Sequence, residues 1–407
     1  MRCDGELMLG GLLEAAHLIA LEQVPGVVAE HARLAGFTRP LIYVTDLQQQ
    51  RLVPLPGQSG DNGEVLDPIL IDTTLAGRAF RNVEIVRSRR GPDTTPRPEE
   101  EPRVWVPILD GTDRLGVLQV TLPDLGELAE RRVVHLASLL SLILATKRAH
   151  SDSYARLVRI QPMTLSAEVL FNLLPPGAFA NDRVVVSAML EPAYEVGGDA
   201  YDYAIDGHTL HVSIFDAMGH DTSAGLTATV AMGACRNARI QGADLTTAGE
   251  AIDEAIAEQF TGRFATGILA DLDLRTGELS WVNRGHHPPL VLRGGRWVAT
   301  LAAEPDPPMG FRLGAGTGLL GYQLQPGDRL VFYTDGIIEA QSPNRELFGL
   351  KRFIDFLIRH EADGLTVPET LRRLIQAILK HQRGRLQDDA TVLVVEWQSR
   401  TPKQLVL

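Results

Sequence analysis

Residues 195–231 read EVGGDAYDYAIDGHTLHVSIFDAMGHDTSAGLTATVA and predict a β-hairpin with acidic residues at one end. Apolar residues alternate on both sides of Asp206 and Gly207, which form a two-residue turn signal. Asp199 starts the first strand and Asp216 ends the second, so antiparallel pairing brings the two carboxylates together. Because like charges repel unless a cation lies between them, the pattern predicts a metal site. Carboxylates without nearby cysteine favour Mg²⁺ or Mn²⁺ over zinc.

Two more acidic clusters stand at strand ends further along the chain. Asp335 and Gly336 follow the apolar run 329–334, and Asp388 lies just before the apolar run 391–397. Any one of these aspartates, taken alone, is more often a turn or cap residue. Several such clusters in one domain are better explained by a shared, oxygen-rich metal site.

Composition and charge exclude several classes of protein. A chain of 407 residues with 44% hydrophobic content is long enough for roughly two or three domains. Its formal charge of -12 repels phosphate backbones and disfavours nucleic acid as a general partner. Cys3 and Cys235 are the only cysteines, and they offer no zinc spacing, which is typical of a reducing cytosol.

The first residues predict an amphipathic helix rather than a signal peptide. Asp4, Glu6 and Glu14 interrupt the apolar stretch at the N-terminus, and apolar residues recur there at helical spacing. No uninterrupted apolar run reaches the roughly 18 residues of a membrane span. We therefore expect a cytoplasmic protein that makes no membrane contact.

The N-terminal third predicts a mixed domain of helices and strands. A helical start is followed by short strands, by a short helix in TTLAGRAF (73–80), and by a hairpin containing VPI (106–108) and GVLQV (116–120). This order resembles the GAF family of sensor domains over residues 7–148. The resemblance implies a GAF-like α/β sensor domain that binds an unknown small ligand. Residues 88–102 hold four prolines and mixed charge and predict a mobile loop.

Residues 125–174 predict one or two long helices between two domains. Val133, Leu136, Leu140 and Ile143 begin a three-four spacing that is typical of a parallel coiled coil between two protomers. The alternative interpretation is that residues 139–144 pack on the N-terminal domain itself, and the sequence leaves both open. The first interpretation predicts a homodimer.

Beyond the helix-stopping residues Pro175 and Pro176 the pattern changes to grouped short strands with paired helices. This arrangement predicts an α+β domain built on antiparallel sheets. The predicted strands are 183–190, 209–215, 266–274, 278–283, 289–292, 297–301, 329–334 and 391–397, and the predicted helices are 223–239, 245–259, 351–360 and 367–381.

Four motifs carry a second resemblance. YEVGGDAYDY, FDAMGH, FYTDGIIEA and DDATVLVV, preceded by LLPP, resemble the metal-dependent PPM (protein phosphatase 2C) Ser/Thr phosphatases in their bacterial, SpoIIE-like branch. The resemblance implies an antiparallel β-sandwich flanked by helices and two Mn²⁺ or Mg²⁺ ions. It also implies that Asp216 bridges the ions and that the Ala217 carbonyl binds one of them. By the same resemblance, Asp335 and Asp388 would bind the other ion, and Asp199 would complete the catalytic centre directly or through water.

The resemblance implies a phosphoprotein phosphatase regulated by its sensor domain, acting on a phosphorylated anti-sigma-factor antagonist in bacterial signalling. The alternative is a catalytically weak pseudophosphatase that holds a partner, and a small-molecule phosphatase is a third possibility. The predicted domains are a sensor (1–124), a helical linker (125–174), a phosphatase domain (175–398) and a tail (399–407).

One residue departs from the family pattern. Asp221 stands where the family usually has glycine, and it could cap the helix beginning near Ser223, repel phosphate or recruit a cation. For His220 a loop-shaping role is favoured over proton donation to phosphate. For His286 and His287 packing is favoured over metal ligation.

Overall fold

The computed structural model describes residues 2–60, 62–88, 103–122, 126–191, 194–195, 197–314, 318–384 and 386–398. The chain divides into two compact units, Met1–Gln161 and Pro162–Gln404. The loop predicted to be mobile lies, beyond Ser88, outside the described residues, as does the tail 399–407. In the described part of the chain, no helix has the length and apolar character needed to span a bilayer.

The first unit is built on one antiparallel sheet of six strands in the order β3-β2-β1-β6-β5-β4. Its strands are β1 (Thr38–Thr45), β2 (Arg51–Pro54), β3 (Ile69–Leu70), β4 (Val86–Ser88), β5 (Arg103–Asp110) and β6 (Asp113–Thr121). Its helices are α1 (Arg2–Ala15), α2 (Val24–Ala32), α3 (Leu75–Asn82), α4 (Glu127–Arg148) and α5 (Asp152–Val158), with 3-10 turns at Leu21–Gln23 and Arg33–Ala35. The predicted hairpin β5–β6 and the short helix α3 are present.

Alternation along β1 explains why both faces of this sheet are covered. Ile42 and Val44 point into the core beneath α1, α2 and α4, whereas Tyr43 points into a smaller core beneath α3. Successive strand residues face opposite sides, so an almost continuous apolar strand needs cover on both. The architecture is a sheet between two helical layers.

Where the sequence predicts one or two long helices, the structure has three shorter ones. After α4 and α5, a third helix, α6 (Leu165–Leu173), begins in the second unit. Ser151 and Thr164 each cap the following helix with their hydroxyl oxygen, which marks two new starts rather than a continuous helix. Within α4, the apolar seam residues lie in the core of the first unit: Val133, Leu136, Leu140 and Ile143.

The second unit contains two antiparallel sheets, with orders β15-β12-β11-β10-β9 and β14-β13-β16-β17-β8-β7. The strands are β7 (Ala178–Ala180), β8 (Val184–Glu191), β9 (Asp199–Asp206), β10 (Thr209–Ala217), β11 (Ala265–Asp273), β12 (Glu278–Arg284), β13 (Leu290–Arg293), β14 (Arg296–Thr300), β15 (Leu320–Gln323), β16 (Arg329–Tyr333) and β17 (Ala390–Trp397). The helices besides α6 are α7 (Thr222–Ile240), α8 (Leu245–Gln259), α9 (Asp335–Ile338), α10 (Leu350–Ala362) and α11 (Val367–His381).

These elements form a β-sandwich flanked by helices, as the resemblance to PPM phosphatases implies. On β16, Leu330 and Phe332 point into the core shared with the other sheet, while Val331 and Tyr333 point into the core under α10 and α11. Helices α7 and α8 pack on the outer face of the five-stranded sheet. The order of layers is therefore helices, sheet, sheet, helices.

The predicted strands and helices of this unit are present, and the sequence missed three short elements. Strands β7 and β15 lie at sheet edges and have only three and four residues, and α9 also has four. Periodicity cannot identify elements this short, because a pattern needs several repeats. One of them, α9, carries a predicted site residue at its first position.

Candidate metal centre

The hairpin β9–β10 places Asp216 directly opposite Asp199. Its register runs from Thr209 paired with Asp206 at the turn to this pair of aspartates at the open end. The proximity predicted from the sequence is thus confirmed. Strand β10 is interior to its sheet, with β11 on the other side pairing Asp216 with Thr266. A central strand end is a rigid support for a functional side chain.

The two other aspartates come from the second sheet. Asp335 starts α9 just after β16, and Asp388 lies two residues before β17. These strands are antiparallel neighbours, so the end of one and the start of the other meet at the same edge. A Cβ on Gly336 would overlap the Asp389 carbonyl oxygen, so only glycine allows the two segments this close. The Asp335 and Asp388 segments therefore meet through their backbones.

Asp389 joins the edges of the two sheets. Its buried Oδ2 accepts the backbone N–H groups of Gly197, Gly198 and Asp199 at 2.7, 2.6 and 3.1 Å. Three successive N–H groups around one anion form a nest, in which a carboxylate is strongly held. Gly198 permits this path, since a Cβ there would overlap the Ala217 carbonyl oxygen. The start of β9 is thereby tied to the start of β17.

Thr334 makes the second link between the sheets. Its hydroxyl accepts the backbone N–H of Thr391 at 2.9 Å and donates to Oδ2 of Asp199 at 2.7 Å. Asp199 is 2% exposed, so this hydrogen bond also fixes the direction of a buried carboxylate. Asp199 is held from both sheets before any ligand arrives.

Burial and repulsion between charges raise the pKa of five aspartates at this edge: Asp199, Asp216, Asp335, Asp388 and Asp389. Burial, followed by repulsion from Asp335, Asp388 and Asp389, raises the pKa of Asp216 to about 7. The pKa of Asp199 is raised well above its usual range by burial and by the charges of Asp216 and Asp389. Burial also raises the pKa of Asp389 to about 6, although its three backbone partners oppose the shift.

The two more exposed aspartates, Asp335 and Asp388, also have raised pKa values. Burial raises the pKa of Asp335, and repulsion from Glu339 raises it further. The nearby His287 acts in the opposite direction and lowers it. Burial also raises the pKa of Asp388, with repulsion from Asp335. Such a group of carboxylates favours neutralisation by protons or by a cation.

The donor chemistry fits a hard divalent cation, since the neighbours of Asp216 include the carboxylates of Asp335, Asp388 and Asp389. The ligand shell is not closed, however. Within the described ranges, no group of three or more His, Cys, Asp or Glu side chains is arranged so that it could hold an ion. Binding therefore requires side-chain movement, for which the exposed Asp388 and half-buried Asp335 have room.

His286 has a packing role, as the sequence analysis favours. Its Nε2 lies 3.1 Å from the Tyr333 carbonyl, and its Nδ1 lies 2.8 Å from the Thr266 hydroxyl. Since a carbonyl only accepts, Nε2 carries the proton and Nδ1 accepts from Thr266. Burial lowers the pKa of His286 to about 3, so it stays neutral. The histidine links β11, beside Asp216, to the end of β16.

Two other histidines, His287 and His220, lie at the rim of the acidic centre. His287 stacks on Tyr333, with ring centroids 5.7 Å apart, and lies near enough to Asp335 to lower its pKa. His220 is exposed and acts in the same way on Asp388.

Asp221 is the N-cap of α7, which is one of the three roles that the sequence left open, because its Oδ1 accepts the Ala224 N–H at 2.8 Å. Its side chain also pairs with Arg263, Nη2 to Oδ2 at 2.6 Å. This arginine was not identified from the sequence.

Asp202 lies three residues after Asp199 but has a different role. It is 1% exposed and accepts from Arg236 at 2.6 Å and from Arg239 at 2.8 Å. Arg236 also donates to the carbonyl of Leu173 at the end of α6. Asp202 therefore fixes α6 and α7 on β9 and contributes nothing to the metal centre.

Sequence reasoning missed the residues that hold the site together, chiefly Asp389, Thr334 and Arg263. Asp388 and Asp389 are adjacent in the sequence, and nothing in that doublet tells which carboxylate faces the backbone nest. Thr334 precedes Asp335 directly, and a threonine at the end of a buried strand was the available signal. Arg263 had no signal, because its partner lies 42 residues away.

A helix-flanked antiparallel sandwich with aspartates from both sheets at one edge is the arrangement that the resemblance to PP2C-type (PPM) phosphatases implies. The particular family follows from a comparison of sequences. Residues 206–398 match the family model described as Stage II sporulation protein E (SpoIIE). Residues 206–398, which lie within the second unit, therefore match a SpoIIE-family, PP2C-type phosphatase domain.

Curated relatives include Protein IcfG of Synechocystis sp., 30% identical over 133 residues, which cover 32% of this chain and 20% of that protein. Phosphoserine phosphatase RsbP of Bacillus subtilis is 26% identical over 223 residues, covering 53% of each chain. The chain thus spans between a fifth and about half of the length of these two relatives. A crystal structure of the RsbU and RsbW domains of a Mycobacterium tuberculosis protein is 26% identical, covers 54% of this chain and 61% of that one, and superposes with a TM-score of 0.46.

Proposed function

We propose that this chain is a metal-dependent phosphatase that removes phosphate from phosphoserine or phosphothreonine in a protein. The observation that carries the proposal is the meeting of Asp199, Asp216, Asp335 and Asp388 at one edge of the sandwich. Burial and repulsion there raise the pKa of Asp216 to about 7. Concentrated negative charge of this kind is costly unless a cation compensates it.

The proposed metal ligands are those that the resemblance to PPM phosphatases implies. Asp216 lies near enough to Asp335, Asp388 and Asp389 for their charges to raise its pKa, and it would be the central carboxylate that holds the ions. The Ala217 carbonyl oxygen would be the adjacent backbone ligand. Asp335 and Asp388 would provide carboxylate ligands on the more exposed side of the centre. When bound, two Mn²⁺ or Mg²⁺ ions supply an activated water and neutralise the phosphoryl oxygens.

The protein contributes positioning to the reaction. Thr334 and Asp389 hold the start of β9, so Asp199 keeps its direction while the more exposed aspartates adjust. Exposed His220, beside Asp388, lies at the rim where a phosphate group enters. Fixed donors and charges of this kind lower the barrier without reorganisation during the reaction.

For the substrate, we propose a phosphorylated antagonist of an anti-sigma factor. RsbP bears the name phosphoserine phosphatase, and this chain matches it over 223 residues. Asp388 and His220 are exposed, so the centre is accessible to a phosphorylated segment of another protein. We propose further that the first unit is a GAF-like sensor of a small ligand and that the protein acts in the cytoplasm, as a homodimer.

A single substitution tests the proposed activity. Asp216→Asn removes the charge of the bridging residue, and we expect Mn²⁺-dependent release of phosphate from a phosphoserine peptide to fall at least about 1000-fold. Asp206→Asn is the matched control, because Asp206 is exposed at the other end of the same hairpin. We expect it to keep wild-type activity, and both variants to keep their circular dichroism spectra.

The same assay separates the alternatives. A pseudophosphatase would release no phosphate at any Mn²⁺ concentration, although it would still bind the phosphoprotein. A small-molecule phosphatase would hydrolyse p-nitrophenyl phosphate and leave the phosphopeptide and the phosphoprotein intact. Equal turnover by wild type and Asp216→Asn would overturn the mechanism.

A further inference from the structure

Arg263 closes over the loop that follows β10. Its Nη1 donates to the Met218 carbonyl at 3.0 Å and to Oδ1 of Asp221 at 3.0 Å, and its Nη2 donates to Oδ2 of Asp221 at 2.6 Å. A planar guanidinium that binds both oxygens of a carboxylate fixes orientation as well as distance. One side chain therefore contacts both ends of the loop 218–221.

The backbone beside this loop is held independently of Arg263. The Ala217 N–H donates to the Gly198 carbonyl at 3.0 Å, and the Met218 N–H donates to the Phe264 carbonyl at 3.0 Å. Gly219 has a φ of 90°, which places the turn in a conformation that favours glycine. After Met218, the Arg263 contacts and the capping bond of Asp221 hold the loop until α7 begins.

We propose that the Asp221–Arg263 ion pair is a positioning device that holds the loop 218–221 in place and thereby sets the affinity of the neighbouring centre for divalent cations. The inference rests on the proposed function, because the Ala217 carbonyl directly precedes this loop. Neither residue contacts the reacting atoms, and both act through the backbone. Asp221, the residue that departs from the family pattern, thus has a supporting role and is not itself a ligand.

The exposure of the pair distinguishes this role from global stabilisation. The side chain of Arg263 is 23% exposed and that of Asp221 is 56% exposed. Ion pairs at such positions contribute little to the free energy of unfolding. Loss of the pair is therefore expected to change local order and cation affinity and to leave the melting temperature nearly unchanged.

The test is a double-mutant cycle in the full-length protein, with Arg263→Gln, Asp221→Asn and the double variant. Asp221→Asn keeps a side-chain oxygen for the cap of α7 and removes only the charge. By calorimetric titration of the metal-free protein with Mn²⁺, we expect each single variant to bind about three- to tenfold more weakly. The double variant should bind no more weakly than Arg263→Gln alone, as expected for two residues that act as one unit.

Two further variants control for chemistry and for charge. Arg275 pairs with Asp273 at 3.2 Å, and Asp273 also accepts the backbone N–H of Arg275, but the pair lies at the opposite end of β11. Arg275→Gln should therefore leave Mn²⁺ affinity unchanged. Arg263→Lys keeps the charge without the two-pronged contact and should fall between Arg263→Gln and wild type. At saturating Mn²⁺, Arg263→Gln should keep kcat within about twofold.

Amide hydrogen exchange provides a readout without metal. In metal-free Arg263→Gln, the amides of residues 218–221 should exchange at least about tenfold faster than in wild type, with no change in Arg275→Gln. Wild type that neither binds Mn²⁺ nor hydrolyses phosphopeptide would overturn the proposed function, while exchange would still report on the loop. Wild-type affinity in Arg263→Gln, with or without faster exchange, would overturn the positioning role.

Discussion

At the scale of single residues, Asp389 is the link between the two sheets. It is 4% exposed, and one of its oxygens accepts three backbone N–H groups from the start of β9. Buried N–H groups without an acceptor are expensive, so this one side chain determines whether the Gly197–Gly198 turn can form as observed.

We therefore expect Asp389→Ala to lower the free energy of unfolding by about 3 kcal/mol or more, since three buried donors lose their acceptor. Asp389→Asn keeps a neutral acceptor oxygen and should cost only about 1 kcal/mol. Urea denaturation of the metal-free variants measures both values. Equal stabilities of the two variants would show that the nest does not depend on the carboxylate oxygen.

Asp216 makes stability dependent on pH in the metal-free protein. Its pKa is raised from 3.8 to about 7 in the folded state, so the folded protein holds this proton more strongly than the unfolded chain. The resulting stabilisation is complete below pH 3.8 and is lost as the pH rises through about 7. Asp389, with its pKa raised to about 6, adds to the same trend.

We expect the free energy of unfolding to fall by a few kcal/mol between pH 4 and pH 8, at about 1.4 kcal/mol for each unit of pKa shift. Asp216→Asn should reduce this slope, because asparagine does not titrate. Saturating Mn²⁺ should restore stability at pH 8 in wild type only. Denaturation at a series of pH values is the measurement, and identical slopes in wild type and variant would contradict this account.

At the scale of elements, the start of α9 depends on a close approach between two backbones. Gly336 follows Asp335, and a side chain there would overlap the Asp389 carbonyl oxygen. The carboxylate of Asp335 can reach the edge of the sandwich only if this contact is free of a Cβ. The Asp-Gly pair is thus a packing requirement as well as a motif.

Gly336→Ala should destabilise the protein by about 1–3 kcal/mol through overpacking and should remove most of the Mn²⁺-dependent activity. Gly233→Ala is the matched control, since Gly233 lies inside α7 with open space around its Cα. Alanine there should stabilise the helix by about 0.5–1 kcal/mol. Thermal unfolding measures the stability of the two variants, and phosphate release measures their activity. Equal effects of the two substitutions would disprove the packing argument.

Helix α4 shows what a local sequence pattern does not determine. Heptad-like spacing in α4 predicts a partner for its apolar face but not the identity of that partner. In the structure the face is buried in the core of the first unit, which agrees with the alternative interpretation for residues 139–144. The homodimer stays a prediction, with sedimentation as its measurement.

At the scale of the whole molecule, the two units have separate cores. The core residues of the first unit end at Val158, and those of the second begin at Ala167, among the described residues. Each unit also has its own sheets. Separate cores are the physical basis for independent folding.

We expect a fragment of residues 162–398 to unfold cooperatively and to release phosphate from the phosphopeptide in the presence of Mn²⁺. Because it keeps α6, both sheets and the acidic centre, its Mn²⁺ affinity should lie within about threefold of that of the full chain. Thermal unfolding and calorimetry measure these properties. A fragment without a cooperative transition would show that the second unit needs the first in order to fold.

The sequence by itself determined the longer strands and helices of the second unit, the hairpin that pairs Asp199 with Asp216, and the aspartates at the ends of strands. These features depend on local periodicity and turn residues, which act over a few positions. Only the tertiary structure decided that Asp389 receives the glycine turn, that Thr334 orients Asp199, and that Arg263 holds the loop after β10. Each of these contacts joins residues between 42 and 192 positions apart, where packing rather than local pattern selects the partner.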